Sequence, residues 1–165
     1  MIKMNDQGEV LESIRARDGT RNPSLITSYN DIGYILKGES QNIMKKRTVK
    51  MSDEMRNFLV QTPNREVLLD LVALNIQRGR DHGLPDYNAY RKALGLKAYK
   101  SFNDFSSDPK VVDKLERCFK DINLVDVVVG LMAEDSLPGA SIGELGAAIV
   151  RDTMARIRAG DRYWY

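Results

Sequence analysis

The sequence predicts a mainly α-helical fold in a single domain, and three observations carry that prediction. The chain has 165 residues, which matches one domain at a typical ~150 residues each. Apolar residues recur three and four apart through Val111, Val112, Leu115 and Phe119 and again around Leu68, Leu71 and Leu74, the period of a helix face. No alternating apolar–polar run is long enough to mark a strand. Apolar residues make up 42% and charged residues 29%, which excludes a disordered chain. Lys and Arg total 25 against 23 Asp and Glu, a net charge of +2. That balance argues against a nucleic-acid partner, which calls for a basic excess. The longest apolar run, residues 124–130, is broken by Asp126 and cannot span a bilayer.

Taken in order, residues 1–50 read as loop-rich and 51–165 as helical. Gly8, Gly19, Pro23, Gly33 and Gly38 punctuate the first part, around a short helix near Ile32 to Leu36. Lys45, Lys46, Arg47 and Lys50 form a basic cluster, expected to be solvated. Ser52, followed by Asp53 and Glu54, opens a helix through Leu59, and Thr62-Pro63-Asn64 separates it from the next element. From Glu66 to Arg78 the spacing predicts one continuous helix. Leu68, Leu71, Leu74, Asn75 and Arg78 share one face, and Leu69, Val72, Ala73 and Ile76 fill much of the other. A helix apolar nearly all round is expected at the centre of a fold.

Gly79, Gly83 and Pro85 end that helix, and Pro85-Asp86 starts a short one through Leu94 with Gly95 as its stop. Asp108-Pro109 opens a helix to about Lys120. A short helix over residues 124–132 precedes the Leu137-Pro138-Gly139 turn. Ser141-x-x-Glu144 then reads as a capping box for a last helix ending at Gly160. The closing Asp161-Arg162-Tyr163-Trp164-Tyr165 is expected to pack its rings on the body of the domain.

Residue counts limit the chemistry. Cys118 is the single cysteine, so no internal disulfide forms, and its neighbours Leu115 and Phe119 suggest a buried thiol. His82 is the single histidine, which excludes a His-based metal cluster. The N-terminal residues carry no apolar stretch of the kind found in a secretory signal. Asn75 stands inside an apolar stripe, and a buried carboxamide there needs a hydrogen-bond partner. The polar run from Gln77 to Gly83 reads either as a helix end whose side chains satisfy carbonyls or as an arginine site for an anion. Asp126, isolated among β-branched residues, reads as a salt-bridge or cap partner.

The run Leu74-Asn75-Ile76-Gln77-Arg78-Gly79-Arg80-Asp81-His82-Gly83-Leu84-Pro85-Asp86-Tyr87-Asn88 closely resembles the signature of the animal-type haem peroxidase family. Companion segments resemble family motifs in the same order. They are Asn22-Pro23-Ser24-Leu25, the run Asp53-Glu54-Met55-Arg56-Asn57-Phe58-Leu59, then Val125-Asp126 with Gly130, Glu134-Asp135 and Pro138-Gly139-Ala140, and finally the run from Gly160 to Tyr165. The resemblance extends from about residue 8 to the end.

It implies a mostly helical fold around a buried haem b, with hydrogen peroxide reduced while a small donor is oxidised. It also implies that Asn75 accepts a hydrogen bond from the proximal haem histidine and that Arg78 pairs with a haem propionate. Leu71 and Leu74 would line the proximal side. His82 belongs to a structural Arg-Asp-His-Gly motif and is not expected to bind iron. The family's two haem histidines, its catalytic arginine and its calcium-binding loop belong to segments ahead of the matched region. The upstream part of the same fold is therefore an expected partner, and the family implies an extracellular location. The alternative is a non-catalytic helical remnant, or an interaction module, that binds no haem by itself.

Overall fold

The computed structural model describes residues 1–19, 22–43, 47–62 and 65–164, with side chains described except at 16, 17, 58–62 and 65–67. The chain divides into two compact units, Met1–Lys45 with Ser52–Leu71, and Lys46–Met51 with Val72–Tyr165. Helices dominate, as the periodicity predicts. Two short antiparallel hairpins accompany them.

In the first unit, β1 (Ile2–Met4) pairs with β2 (Val10–Ser13), and a one-turn helix α1 (Ala16–Gly19) follows. Helix α2 (Tyr29–Gln41) is far longer than the short segment expected near Ile32. Its start is a Ser28-x-x-Asp31 arrangement, in which the Asp31 carboxylate accepts from the Thr27 and Ser28 backbone N–H groups, both at 2.8 Å. Asp31 also faces the buried Lys3, whose Nζ donates to it at 3.2 Å and to the Leu25 carbonyl at 2.6 Å. Glycine at position 38 lets α2 approach β1, because a Cβ there would overlap the Ile2 carbonyl.

The segment after residue 52 departs from expectation. Helix α3 spans only Asp53–Arg56, and the chain then forms β3 (Phe58–Thr62) paired antiparallel with β4 (Arg65–Leu69). Neither the predicted helix through Leu59 nor the helical start at Glu66 forms. Phe58-Leu59-Val60 and Val67-Leu68-Leu69 suit strands as well as helices, and hairpin pairing decides between the two. Pro63 and Asn64 of the expected separator lie outside the described residues, as do Lys45 and Lys46 of the basic cluster.

The second unit is helical. It contains α4 (Leu71–Asp81, which begins one residue before the unit does), α5 (Tyr87–Ala93), α6 (Pro109–Cys118), α7 (Val127–Ala133) and α8 (Glu144–Gly160). The predicted cap at Asp108 forms, accepting from the Lys110 N–H at 2.9 Å, and Asp86 caps α5 by accepting from the Ala89 N–H at 2.9 Å. Tyr87, Phe105, Leu115, Val125, Val127, Ala133 and Leu145 make the core. Within it the Tyr87 and Phe105 rings lie 4.7 Å apart, and the Tyr99 ring meets Phe105 edge-on at 5.0 Å.

Three further expectations do not hold. Helix α8 is not capped by Ser141: its N-cap is Gly143, and the buried Glu134 carboxylate accepts from the Leu145 and Gly146 N–H groups at 3.1 Å each. A Cβ at position 143 would overlap that carboxyl, so the cap comes from outside the helix. Cys118 is exposed rather than buried, because it is the last residue of α6 and stands at the rim of a surface cleft with Lys120 and Leu124. The closing rings do not pack on the body either. Trp164 is 56% exposed and lies against Arg158, Tyr163 is 67% exposed against Arg162, and Tyr165 is outside the described residues.

Two outcomes follow for stability. Hydrogen bonds from the Ser28 and Thr27 N–H groups, then from the Thr27 hydroxyl and Lys3, hold the Asp31 carboxyl well below the usual carboxylate range. Its contribution is therefore complete above the unfolded pKa of about 4 and is lost as pH falls toward the folded value. Asp31→Asn should flatten the acid limb of unfolding of the first unit, read by circular dichroism against pH. Gly130 faces the Tyr87 ring so closely that a Cβ would overlap it. Gly130→Ala should destabilise the second unit by about 1–3 kcal/mol, seen as a lower urea midpoint at unchanged slope.

Candidate functional site

Helix α4 carries the candidate site, and two stripes divide it. Val72, Ile76 and Arg80, each four residues after the last, form one side. Val72 and Ile76 line an apolar groove of about 180 Å³ with Val49, Met51, Val128, Val129 and Met132. Arg80 closes the stripe with a two-point ion pair, Nε to Asp126 Oδ1 at 2.9 Å and Nη2 to Oδ2 at 2.7 Å. Hydrogen bonding and charge from Asp126 raise the Arg80 pKa further above its ordinary value. Asp126 thus takes the salt-bridge role read for it in the sequence.

The other stripe holds Leu71, Leu74, Asn75 and Arg78. Leu74 is 40% exposed, Asn75 and Arg78 are exposed, and Leu71 is half-buried. No residue of α4 is buried, which corrects the expectation of a helix enclosed on all sides. The reason lies in the phase: among the described residues, the Val72–Ile76 stripe is the one that lines a groove of the second unit. Asn75 and Arg78 stand one turn apart, and neither side chain has a hydrogen-bond or ion-pair partner among the described residues. Arg80 and Gln77, by contrast, both do, Gln77 donating to Asp81 Oδ1 at 2.6 Å.

The run after Arg78 forms a helix end. The His82 N–H donates to the Arg78 carbonyl at 3.0 Å and the Leu84 N–H to the Gly79 carbonyl at 2.9 Å, with Gly83 at φ +67°. Backbone groups, rather than the Arg and His side chains, satisfy these carbonyls. His82 itself is exposed.

Behind the site lies a polar network that sequence reasoning missed. Glu134 Oε2 accepts from the Tyr87 hydroxyl at 2.8 Å inside the core. Burial, then the bond to Glu134, pushes the Tyr87 phenol far above its usual pKa. Arg91 is 2% exposed, donates from Nε to the Lys97 carbonyl at 2.6 Å, pairs with Glu144, and lies 4.1 Å over the Tyr99 ring. Arg47, expected in solvent, instead donates to the carbonyls of Leu131, Glu134 and Ser141. Tyr87, near the end of the signature run, and the Glu134-Asp135 pair carried a signal as parts of motifs, and Glu144 one as part of the expected capping box.

This mainly helical fold has known counterparts. The chain belongs to the animal haem peroxidase family, whose pattern matches residues 1–165. It is similar to peroxinectin A of Dictyostelium discoideum, with 39% identity over 127 residues covering 77% of this chain and 23% of that protein. Eosinophil peroxidase of Mus musculus is 40% identical over 125 residues, 74% of this chain and 17% of that one. The chain thus spans about a quarter or less of the length of these relatives. Among solved structures, peroxidase A from Dictyostelium discoideum matches with a TM-score of 0.90 and 32% identity over 100% of this chain and 32% of that one. A fatty acid alpha-dioxygenase of Arabidopsis thaliana matches more loosely, with a TM-score of 0.60 and 28% identity over 67% of this chain and 18% of that one.

Proposed function

We propose that this chain is the part of a haem-dependent peroxidase that supplies the proximal-side helix of the haem pocket. One observation carries the reading: Asn75 and Arg78 share an open face of α4 with Leu71 and Leu74, and both polar side chains lack partners among the described residues. That donor set fits haem b. The guanidinium of Arg78 offers two parallel N–H donors to a propionate, and the leucines offer apolar surface to a ring. The Asn75 Oδ1 accepts the N–H of an iron-ligating imidazole, which orients that ring and raises its basicity. Bound haem supplies the redox chemistry that couples reduction of hydrogen peroxide to oxidation of a small donor.

The imidazole comes from the upstream part of the same fold, since His82 sits past the end of α4 in a turn. The family's calcium loop and remaining catalytic groups belong to that part as well. An extracellular location accords with the family. Haem-loaded full-length protein should oxidise a phenolic donor only when peroxide is added. Oxygen uptake driven by a fatty acid, with no peroxide-dependent oxidation, would overturn this reading in favour of a dioxygenase.

Two substitutions in the full-length protein separate the two roles. Arg78→Ala should accelerate haem loss by about tenfold to a hundredfold, the range for losing one charge-assisted bond, while leaving the iron–histidine vibration in place. Asn75→Leu should shift that vibration and the reduction potential, because it leaves the imidazole N–H unsatisfied at a cost of about 1–3 kcal/mol. Asn75→Asp should lower the potential by drawing the imidazole toward imidazolate. An unchanged vibration and potential in Asn75→Leu would reduce Asn75 to a surface amide.

A further inference from the structure

Among the described residues, helix α4 meets the second unit along one stripe. With no residue buried, its apolar attachment through Val72 and Ile76 leaves rotation about its own axis weakly defined. A directional contact on that stripe is the Arg80–Asp126 pair, whose two bonds at 2.9 and 2.7 Å fix the guanidinium plane against the carboxylate. The anchor end of this pair is rigid. Asp126 is 16% exposed at its side chain and precedes α7, whose Gly130 N–H donates to the Asp126 carbonyl at 2.9 Å. Its backbone bridges Asp86, and the neighbouring Tyr87 N–H donates to the Val125 carbonyl at 2.8 Å, both residues being fully enclosed in the core. The pair therefore runs from the best-packed point of the second unit to the last turn of its least-packed helix.

The position of Arg80 gives this geometry a consequence. Arg78 lies two residues earlier, about 200° around the helix, so whatever holds Arg80 inward turns Arg78 and Asn75 outward. We propose that Arg80 and Asp126 are positioning residues that set the rotation of α4 and thereby aim Asn75 and Arg78 at the cofactor. The inference rests on α4 being the proximal-side helix. An ion pair with one partner as exposed as Arg80 adds little to global stability, so its effect appears in aim rather than in unfolding. A two-point fork also differs from a point charge: lysine at position 80 keeps the charge and loses the orientation.

The test uses the haem-loaded full-length protein with Arg80→Lys, Arg80→Ala and Asp126→Asn, beside Arg78→Ala and Asn75→Leu. Expected in Arg80→Lys and Arg80→Ala alike are haem loss faster by about threefold to tenfold and a broadened iron–histidine band. The thermal midpoint should be nearly unchanged. Backbone amides of α4 should exchange faster with solvent, while those of Tyr87 and Val125 keep their protection. Combining Arg80→Lys with Asp126→Asn should add nothing beyond either change alone. Because Arg80→Lys is mild and on the surface, its exchange pattern remains readable even where Asp126→Asn disturbs α7. Full retention of haem, band shape and α4 protection in Arg80→Lys would overturn the proposal while Arg78→Ala and Asn75→Leu still show their effects. If those two are silent as well, the reading of α4 falls first and the positioning role falls with it.

Discussion

The second unit is organised around one buried acid. Glu134 ends α7, and its two carboxylate oxygens take three donors: the Tyr87 hydroxyl from α5 and the Leu145 and Gly146 N–H groups that open α8. A carboxylate removed from water is costly unless its lone pairs are filled, so this arrangement constrains all three elements together. The helix gains too. The first amides of α8 have no partner within the helix, and an anion at that end suits the helix dipole. Gly143 leaves the room the carboxyl needs.

From that point the remaining contacts follow in sequence. Tyr87, held through its hydroxyl, stacks with Phe105 and Tyr99 and excludes any side chain at position 130. Arg47 gathers the carbonyls of Leu131 and Glu134 with that of Ser141, tying the end of α7 to the loop ahead of α8. Arg91 pairs with Glu144 in the first turn of α8. The result is a dense polar and aromatic centre from which Val125 and Asp126 emerge, and α4 hangs on that edge. Density at the centre and openness at α4 are complementary.

The same division explains why α4 invites a buried reading. Its composition is that of an enclosed helix, because apolar residues stand on both sides of it: Val72 and Ile76 line the groove of this unit, while Leu71 and Leu74 are half-buried or exposed on the other side. Periodicity reports that a face avoids water and is silent on what covers it.

Much of this protein is legible from the order of its residues alone. Asp86 and Asp108 cap the helices they precede, Gly95 stops α5, and Val112 with Leu115 forms the inner face of α6, since each depends on neighbours within one or two turns. The run from Leu74 to Asn88 resembles the family signature, and the chain belongs to that family. What depended on distant residues was not legible. Residues 58–62 and 65–69 became paired strands because antiparallel pairing between them outweighed a helical pattern in each segment. The cap of α8 came from Glu134, ten residues before the helix begins, so the nearer Ser141 was passed over. Arg47 left solvent for three carbonyls between 84 and 94 residues away. The rotation of α4 likewise depended on tertiary structure, because Val72, Ile76 and the Arg80–Asp126 pair lie against residues outside the helix.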